Sequence, residues 1–224
     1  MFENVKNDVT LRITELRSLL IHITEQQRNV STTVPVVPIH LNIIKGLFFV
    51  HAYAVYEFTV TSLAQNTLSY INTKLLPTSS YKPLILSIIL DPHCNSLEAG
   101  NGKKQWDRRR RLFQELDVDN VLPIDNTVLP TGEGNLKYGQ LKSLIETLCM
   151  TCNPILDNRF IGRLEELVEH RNAISHGRSS PIEIGKRYSI ADLEIRLNDI
   201  IELCTYLINE FEEYLTNETF KKPV

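Results

Sequence analysis

Apolar positions recur at helical spacing along most of this chain, and the breaks between those runs divide it into elements. Leu11, Leu16, Leu19, Leu20 and Ile23 lie near steps of three and four, with no glycine or proline between residues 2 and 28, which predicts a first helix. NVSTTVPVVP, residues 29–38, predicts a loop, because two prolines and a β-branched run cannot continue a helix. A longer helix is predicted from about Leu41 to about Leu75. It is apolar nearly all round, as a central rather than a surface helix is. Between Lys45 and Lys74 there are 28 residues and one formal charge, Glu57. A lone carboxylate there needs a cation, hydrogen bonds or a proton.

Residues 77–134 break the pattern. KPLILSIIL is a short apolar run ending at Asp91-Pro92, and HCNSLEAGNG reads as loop. KKQWDRRRRLFQELD reads as a short basic helix, and DVDNVLPIDNTVLPTGEGN as another loop. The segment lacks an apolar pattern long enough to fold alone, so it is expected to be an insertion or cover. Helical spacing returns from about Leu136 to Met150 and, beyond Pro154, over about 157–176. PIEIGKRY, residues 181–188, reads as a connector with a short extended piece. A last helix is predicted from Ser189 to about Leu215, with Ser189 and Asp192 in N-cap and N3 positions. Its stripe is Ile190, Leu193, Leu197, Ile200, Ile201, Cys204, Leu207 and Ile208. The tail NETFKKPV is expected to fray. The fold class is therefore all-α, a bundle of four to five long helices with an irregular, partly helical insertion at about 77–134. The whole is read as a single domain over 1–224.

Composition narrows the picture only slightly. The 224 residues are 42% hydrophobic and 23% charged, and the net charge of −3 argues against an overall basic field, so nucleic-acid binding would need a local patch. MFENVKNDVTLRITEL carries early charges and no apolar run, so no signal peptide is expected. GLFFVHAYAVYEFTVTSLA, residues 46–64, is long enough to span a membrane but holds His51, Glu57 and two tyrosines. A charge at mid-span costs ~2.5–3.5 kcal/mol, so the stretch reads as a helix buried in protein, with no membrane partner. Cys149 and Cys152 form a CxxC inside the apolar run LKSLIETLCMTC, without a second such pair, and read as core residues in preference to metal or redox ligands. Reduced thiols suit a cytoplasmic protein. His22, His40, His51, His93 and His170 show no metal-ligand spacing, and neither metal nor cofactor is expected.

The chemistry concentrates in EHRNAISHGR, residues 169–178. On a helical wheel, Phe160, Ile161, Leu164, Leu167, Val168 and Ile174 form one face, and Arg171 falls within about 20° of Phe160, in the middle of it. Such an arginine must snorkel to water, meet a carboxylate, or line a cleft or interface. Glu57 is the natural carboxylate, which a planar guanidinium can hold bidentately, and an Arg171–Glu57 contact is expected. Asn172 and His176 are i,i+4 neighbours, so Asn172 is placed to orient the imidazole. Gly177 reads as the residue that ends the helix, which sets His176 in the last turn, where the helix dipole favours a cation. Arg178 follows.

R-N-A-I-S-H, residues 171–176, resembles the R-x4-6-H motif of the HEPN superfamily, with Asn172 as the polar residue after the arginine. The resemblance is closest over 157–215, extends to the helices at 2–28 and 41–75, and leaves 77–134 unexplained. It implies a metal-independent RNA endonuclease in which two copies of the motif meet across a homodimer cleft. His176 would then act as base or acid at the 2′-OH or the leaving oxygen. Arg171 would stabilise the phosphorane charge, and Asn172 would orient histidine or phosphate. It also implies that the apolar face around Arg171 lines the dimer interface, and a role as a toxin or antiviral effector, with an antitoxin or regulatory protein as partner.

KKQWDRRRR, residues 103–111, adds a local basic patch. Lys103, Lys104, Arg108, Arg109, Arg110 and Arg111 surround a helix on all sides with Trp106 among them, a pattern suited to RNA backbone capture and base stacking. A solvated surface helix, or a partner for LEELVEH and EFEEYL, is the plainer alternative. For the whole chain the alternatives to an endoribonuclease are a non-catalytic helical module binding RNA or a protein partner, and a regulatory domain paired with a nucleotidyltransferase. Arg178 occupies the place where some partnered toxins carry a tyrosine, which weighs against the last.

Overall fold

The longest apolar run becomes the longest helix. In the structure, a computed structural model that describes residues 1–28, 37–98, 102–130 and 135–223, α2 spans Ile39–Thr73. Its Phe48, Phe49, Tyr53 and Tyr56 are at most 1% exposed. By length and composition this helix could cross a membrane, but its aromatic rings are covered by the protein itself. The expected loop at 29–38 lies outside the described residues except for Val37 and Pro38, as does GEG at 132–134.

The other helices, in chain order, are α1 (Glu3–Arg28), the short α3 (Leu86–Ile89) and α4 (Asp91–Glu98), the basic α5 (Lys103–Asp117), α6 (Tyr138–Thr147), α7 (Arg159–Ser175), α8 (Pro181–Gly185) and α9 (Ile190–Thr216). Every regular element among the described residues is helical, apart from a 3-10 turn at Thr78–Ser80 and an isolated bridge pairing Tyr81 with Lys221. The chain forms two compact units. The first comprises residues 1–60, 135–138 and 154–209, and the second residues 61–134, 139–153 and 210–224.

In the first unit α1 buries Val5, Val9, Leu16, Leu20 and Ile23, and α9 buries Leu193, Leu197, Ile200, Cys204 and Leu207, the stripe its spacing predicts. Ser189 starts α9 as expected: the Asp192 amide donates to Ser189 Oγ at 3.2 Å, and the Ser189 amide donates to the Asp192 carboxylate at 2.8 Å. The expected connector at 181–188 is instead helical over its first five residues. Ser180 and Glu183 form a full capping box with Pro181 at the first turn, a start signal legible in S-P-I-E. This short helix meets α2 through two glycines. A Cβ on Gly46 would stand 2.1 Å from the Pro181 carbonyl oxygen, and one on Gly185 would stand 1.9 Å from that of Asn42. Only glycine permits this contact between backbones.

In the second unit the insertion is more ordered than its composition suggests. Residues 93–98, expected as the start of a loop, belong to α4, because Asp91-Pro92 opens a helix rather than closing one. α6 stops at Thr147, short of the expected Met150, and Cys149 takes a left-handed φ of 56°. The cysteine pair is half-buried, not core, whereas Cys204 is buried. The tail is pinned rather than frayed. Phe220 is fully buried against the rings of Tyr81 and Tyr214, and the Lys82 amide donates to its carbonyl at 3.1 Å. Aromatic burial offsets the chain entropy that otherwise frees a terminus.

Replacing Gly185 by alanine forces α8 off α2. The expected loss is on the order of 1–3 kcal/mol, read as a lower midpoint in urea unfolding. An unchanged midpoint would remove the close contact from the fold.

Candidate active site

α7 carries the RNAISH stretch, and the way it ends places the histidine. Gly177 adopts a φ of 67° just past the helix. Its amide donates to the Ile174 carbonyl at 3.1 Å, and the Arg178 amide donates to that of Ala173 at 2.8 Å. These two bonds make the Schellman closure expected from a glycine stop. His176 is the C-cap residue and is exposed, and no hydrogen bond of its ring to the described residues is found.

The face of α7 beneath Arg171 is covered. Phe160, Leu164 and Leu167 are each 2% exposed, so the centre of this face packs within the chain itself. Arg171, like Ile161 and Ile174 at the margins of the face, is only partly covered and keeps 28% of its side chain exposed. Four groups hold it, all within the first unit. The guanidinium lies over the Tyr53 ring at 4.7 Å, and Nη1 donates to Asn135 Oδ1 at 2.6 Å and to Asn172 Oδ1 at 3.0 Å. Nη2 stands 4.0 Å from Glu57 Oε2, so the expected partner is present, but as a single long ion pair without bidentate hydrogen bonds. Asn172 is buried and its oxygen is taken by Arg171; it orients the arginine rather than His176.

Tyr53 links the cluster. Its hydroxyl donates to Glu57 Oε1 at 2.9 Å and accepts from the Leu136 amide at 3.2 Å. Burial pushes this phenol up to about 12, so it stays a donor across the neutral range. Tyr53 and Asn135 escaped the sequence reading. Tyr53 is i−4 to Glu57 on α2, a spacing that could have flagged it. Asn135 arrives from a distant loop and carries no local signal.

A second polar cluster lies on the other flank of α7. Glu166 accepts from Arg196 Nε at 2.9 Å, from Arg196 Nη2 at 3.1 Å and from the Tyr188 hydroxyl at 2.9 Å. His170 Nε2 hydrogen-bonds the same hydroxyl, and its ring packs edge-on to Phe49. Burial lowers the His170 pKa from its ordinary 6.5, with Glu166 opposing. For Glu166, burial would raise the carboxyl, but the Arg196 and Tyr188 hydrogen bonds outweigh it and the net shift is downward. His170 is thus a structural histidine.

The other residues singled out are scattered. Arg178 pairs with Glu169 at 3.0 Å on the exposed surface, a contact of little energetic weight. α5 belongs to the second unit. Lys104, Arg109, Arg110 and Arg111 are exposed on it, as is Trp106; Arg108 donates to the Ser96 carbonyl, and the side chain of Lys103 lies outside the described residues. Arg110 pairs with Asp107, and Arg109 lies 5.0 Å above the Trp106 ring.

Removing the Tyr53 hydroxyl strips a donor from Glu57 and an acceptor from the buried Leu136 amide. Tyr53→Phe is expected to cost ~1–3 kcal/mol, seen as a lowered urea midpoint; a midpoint equal to wild type would show the hydroxyl to be idle. Both His170 and Glu166 titrate below their unfolded values, so the folded state binds fewer protons and stability is lost as pH falls. The thermal midpoint should therefore drop from pH 7 towards pH 5 as His170 is forced to charge, and further below pH 4.5 as Glu166 protonates. His170→Gln should flatten the upper part of that curve. An equal drop in the variant would clear His170 of the effect.

The chain matches the family described as RiboL-PSP-HEPN over residues 7–217. No curated protein and no solved structure matches it. The match spans α1 through the end of α9 and contains the whole Arg171 cluster, and the all-helical architecture agrees with it. The chain is a member of the HEPN family, of the RiboL-PSP-HEPN type.

Proposed function

We propose that the chain is a metal-independent endoribonuclease that cuts RNA by 2′-OH transesterification. The observation that carries this reading is the Arg171 cluster. A cation is held partly exposed on a largely buried helix face, and an exposed histidine without a partner among the described residues caps the same helix. Nη1 is committed to Asn135 and Asn172, whereas Nη2 makes no hydrogen bond among the described residues and keeps its donors for a phosphate oxygen.

In the proposed reaction the His176 imidazole removes the 2′-OH proton. The 2′ oxygen attacks phosphorus, and the P–O5′ bond breaks to leave a 2′,3′-cyclic phosphate and a 5′-OH. Arg171 stabilises the charge that builds on the non-bridging oxygens. The leaving 5′ oxygen needs a proton, and one chain has one such histidine. His176 of a second copy supplies it across a two-fold axis, which makes the site a property of a homodimer. Glu57 and Tyr53 act behind Arg171 and do not touch the substrate. Lys104, Arg108, Arg109, Arg110, Arg111 and Arg178 offer cations to the RNA backbone. Such an enzyme fits a cytoplasmic toxin or antiviral effector restrained by an antitoxin or regulatory protein. The second reading, a non-catalytic module, is favoured by the full engagement of Arg171 Nη1 within the chain.

RNA incubated with the protein in EDTA should yield 2′,3′-cyclic phosphate and 5′-OH ends. His176→Ala and Arg171→Ala should each lower the rate by about 100-fold or more. At protein concentrations below dimer dissociation the rate should rise with the square of concentration. No cleavage of any RNA by the pure dimer would leave the binding module as the function.

A further inference from the structure

The basic helix α5 has a face that nothing among the described residues covers. Trp106 is 62% exposed and Phe113 67% exposed, and none of the helix's described side chains is buried. Arg108 turns towards α4, where it donates to the Ser96 carbonyl. On a helical wheel Trp106, Arg109 and Phe113 share the opposite side, at i, i+3 and i+7. The Arg109 guanidinium lies 5.0 Å from the Trp106 ring centre. Trp106, Arg109, Arg110 and Phe113 line an open hollow of ≈ 930 Å³ together with Leu97.

We infer that this face is a stacking platform for single-stranded RNA, on which unpaired bases lie against Trp106, Arg109 and Phe113 while neighbouring cations take the phosphates. Three planar groups follow one another along one side of the helix. Trp106 and Phe113 are two turns apart, roughly 10 Å at 1.5 Å per residue, or about three steps of a stacked strand at 3.4 Å each. The guanidinium, next to the Trp106 ring, is itself a stacking surface for a base. Arg110 flanks the ladder on one side, so Arg109 and Arg110 are the cations that complement a polyanion there, while Lys104 and Arg111 lie on the far side of the helix. A duplex hides its base faces and cannot use such a ladder, which sets the substrate class as single-stranded.

A lipid surface suits this face less well. A helix that lies in a bilayer keeps its cations opposite a continuous apolar strip. Here Arg109 stands inside the strip and Asp117 follows it on the same side. The choice of RNA over DNA rests on the proposed ribonuclease activity; the choice of a single strand rests on the ladder alone.

Trp106 is the one tryptophan of the chain, so its fluorescence reports the platform directly. The full-length His176→Ala protein, which should not cleave, is titrated with a 15-nucleotide single-stranded RNA, the matching blunt duplex, and vesicles of phosphatidylserine and phosphatidylcholine, with excitation at 295 nm. The expected result is quenching by the single strand, weak or no quenching by the duplex, and affinity that falls steeply with salt. Phe113→Ala and Arg109→Ala should each weaken single-strand binding by about tenfold, while Trp106→Phe, followed by anisotropy of a labelled RNA, should keep most of it and Trp106→Ala lose it. Circular dichroism confirms that these surface variants fold. Equal quenching by duplex and single strand, or a blue shift with vesicles and no response to RNA, overturns the platform. RNA cleavage that proceeds at the wild-type rate in Trp106→Ala at sub-saturating RNA overturns the platform and leaves the ribonuclease standing. Quenching by single-stranded RNA in a protein that cleaves nothing keeps the platform and removes the ribonuclease.

Discussion

A cation on a core-facing helix side is the constraint around which the first unit is organised. Arg171 sits among Phe160, Leu164 and Leu167, all buried, and a guanidinium there loses hydration that apolar neighbours cannot replace. Desolvating an ion costs several kcal/mol even after relaxation. The surroundings offset this through an aromatic face, a carboxylate and two amide oxygens. None of the four is strong alone. Together they hold the group at the edge of solvent, neither buried nor free, where an anion can reach it.

That arrangement explains other choices. Tyr53 is packed on the central helix with its hydroxyl turned to Glu57, which fixes the carboxylate without neutralising it. Asn172 is the first residue after the arginine and is buried, which ties the guanidinium to its own helix. The Glu166–Arg196–Tyr188–His170 cluster holds the far flank of α7 to α9 and to the chain before it. Gly46 and Gly185 let α8 meet α2 directly, which positions the segment that follows Gly177. The motif helix is thus braced on several sides while its last residue, His176, is left to solvent.

The second unit follows a different logic. Its aliphatic core includes an aromatic cluster in which Phe220 contacts Tyr81 and Tyr214. Its most charged helix, α5, packs against α4 almost without apolar burial. Stability and interaction are therefore separated within the unit, because α5 contributes little to the core and remains free to present rings and cations.

Periodicity alone made α1, α2, α7 and α9 legible, since burial of a helix face leaves a 3.6-residue trace in the order of the residues. The stop at Gly177 and the start at Ser189 were legible for the same local reason: caps are satisfied by neighbours in sequence. Arg171 also announced itself, because a charge at the centre of an apolar stripe is a local contradiction. Its answer was only half legible. Glu57 could be named as the one charge on α2, but whether it would bind bidentately depended on the place taken by Tyr53, and Asn135 came from a loop with no pattern of its own. The burial of Phe220 and the close glycine contact were likewise decided by residues far apart in the chain. The sequence by itself determined which helices form and which residue is out of place on its face. The tertiary structure decided which groups answer that charge, because contacts between distant segments leave no period to read.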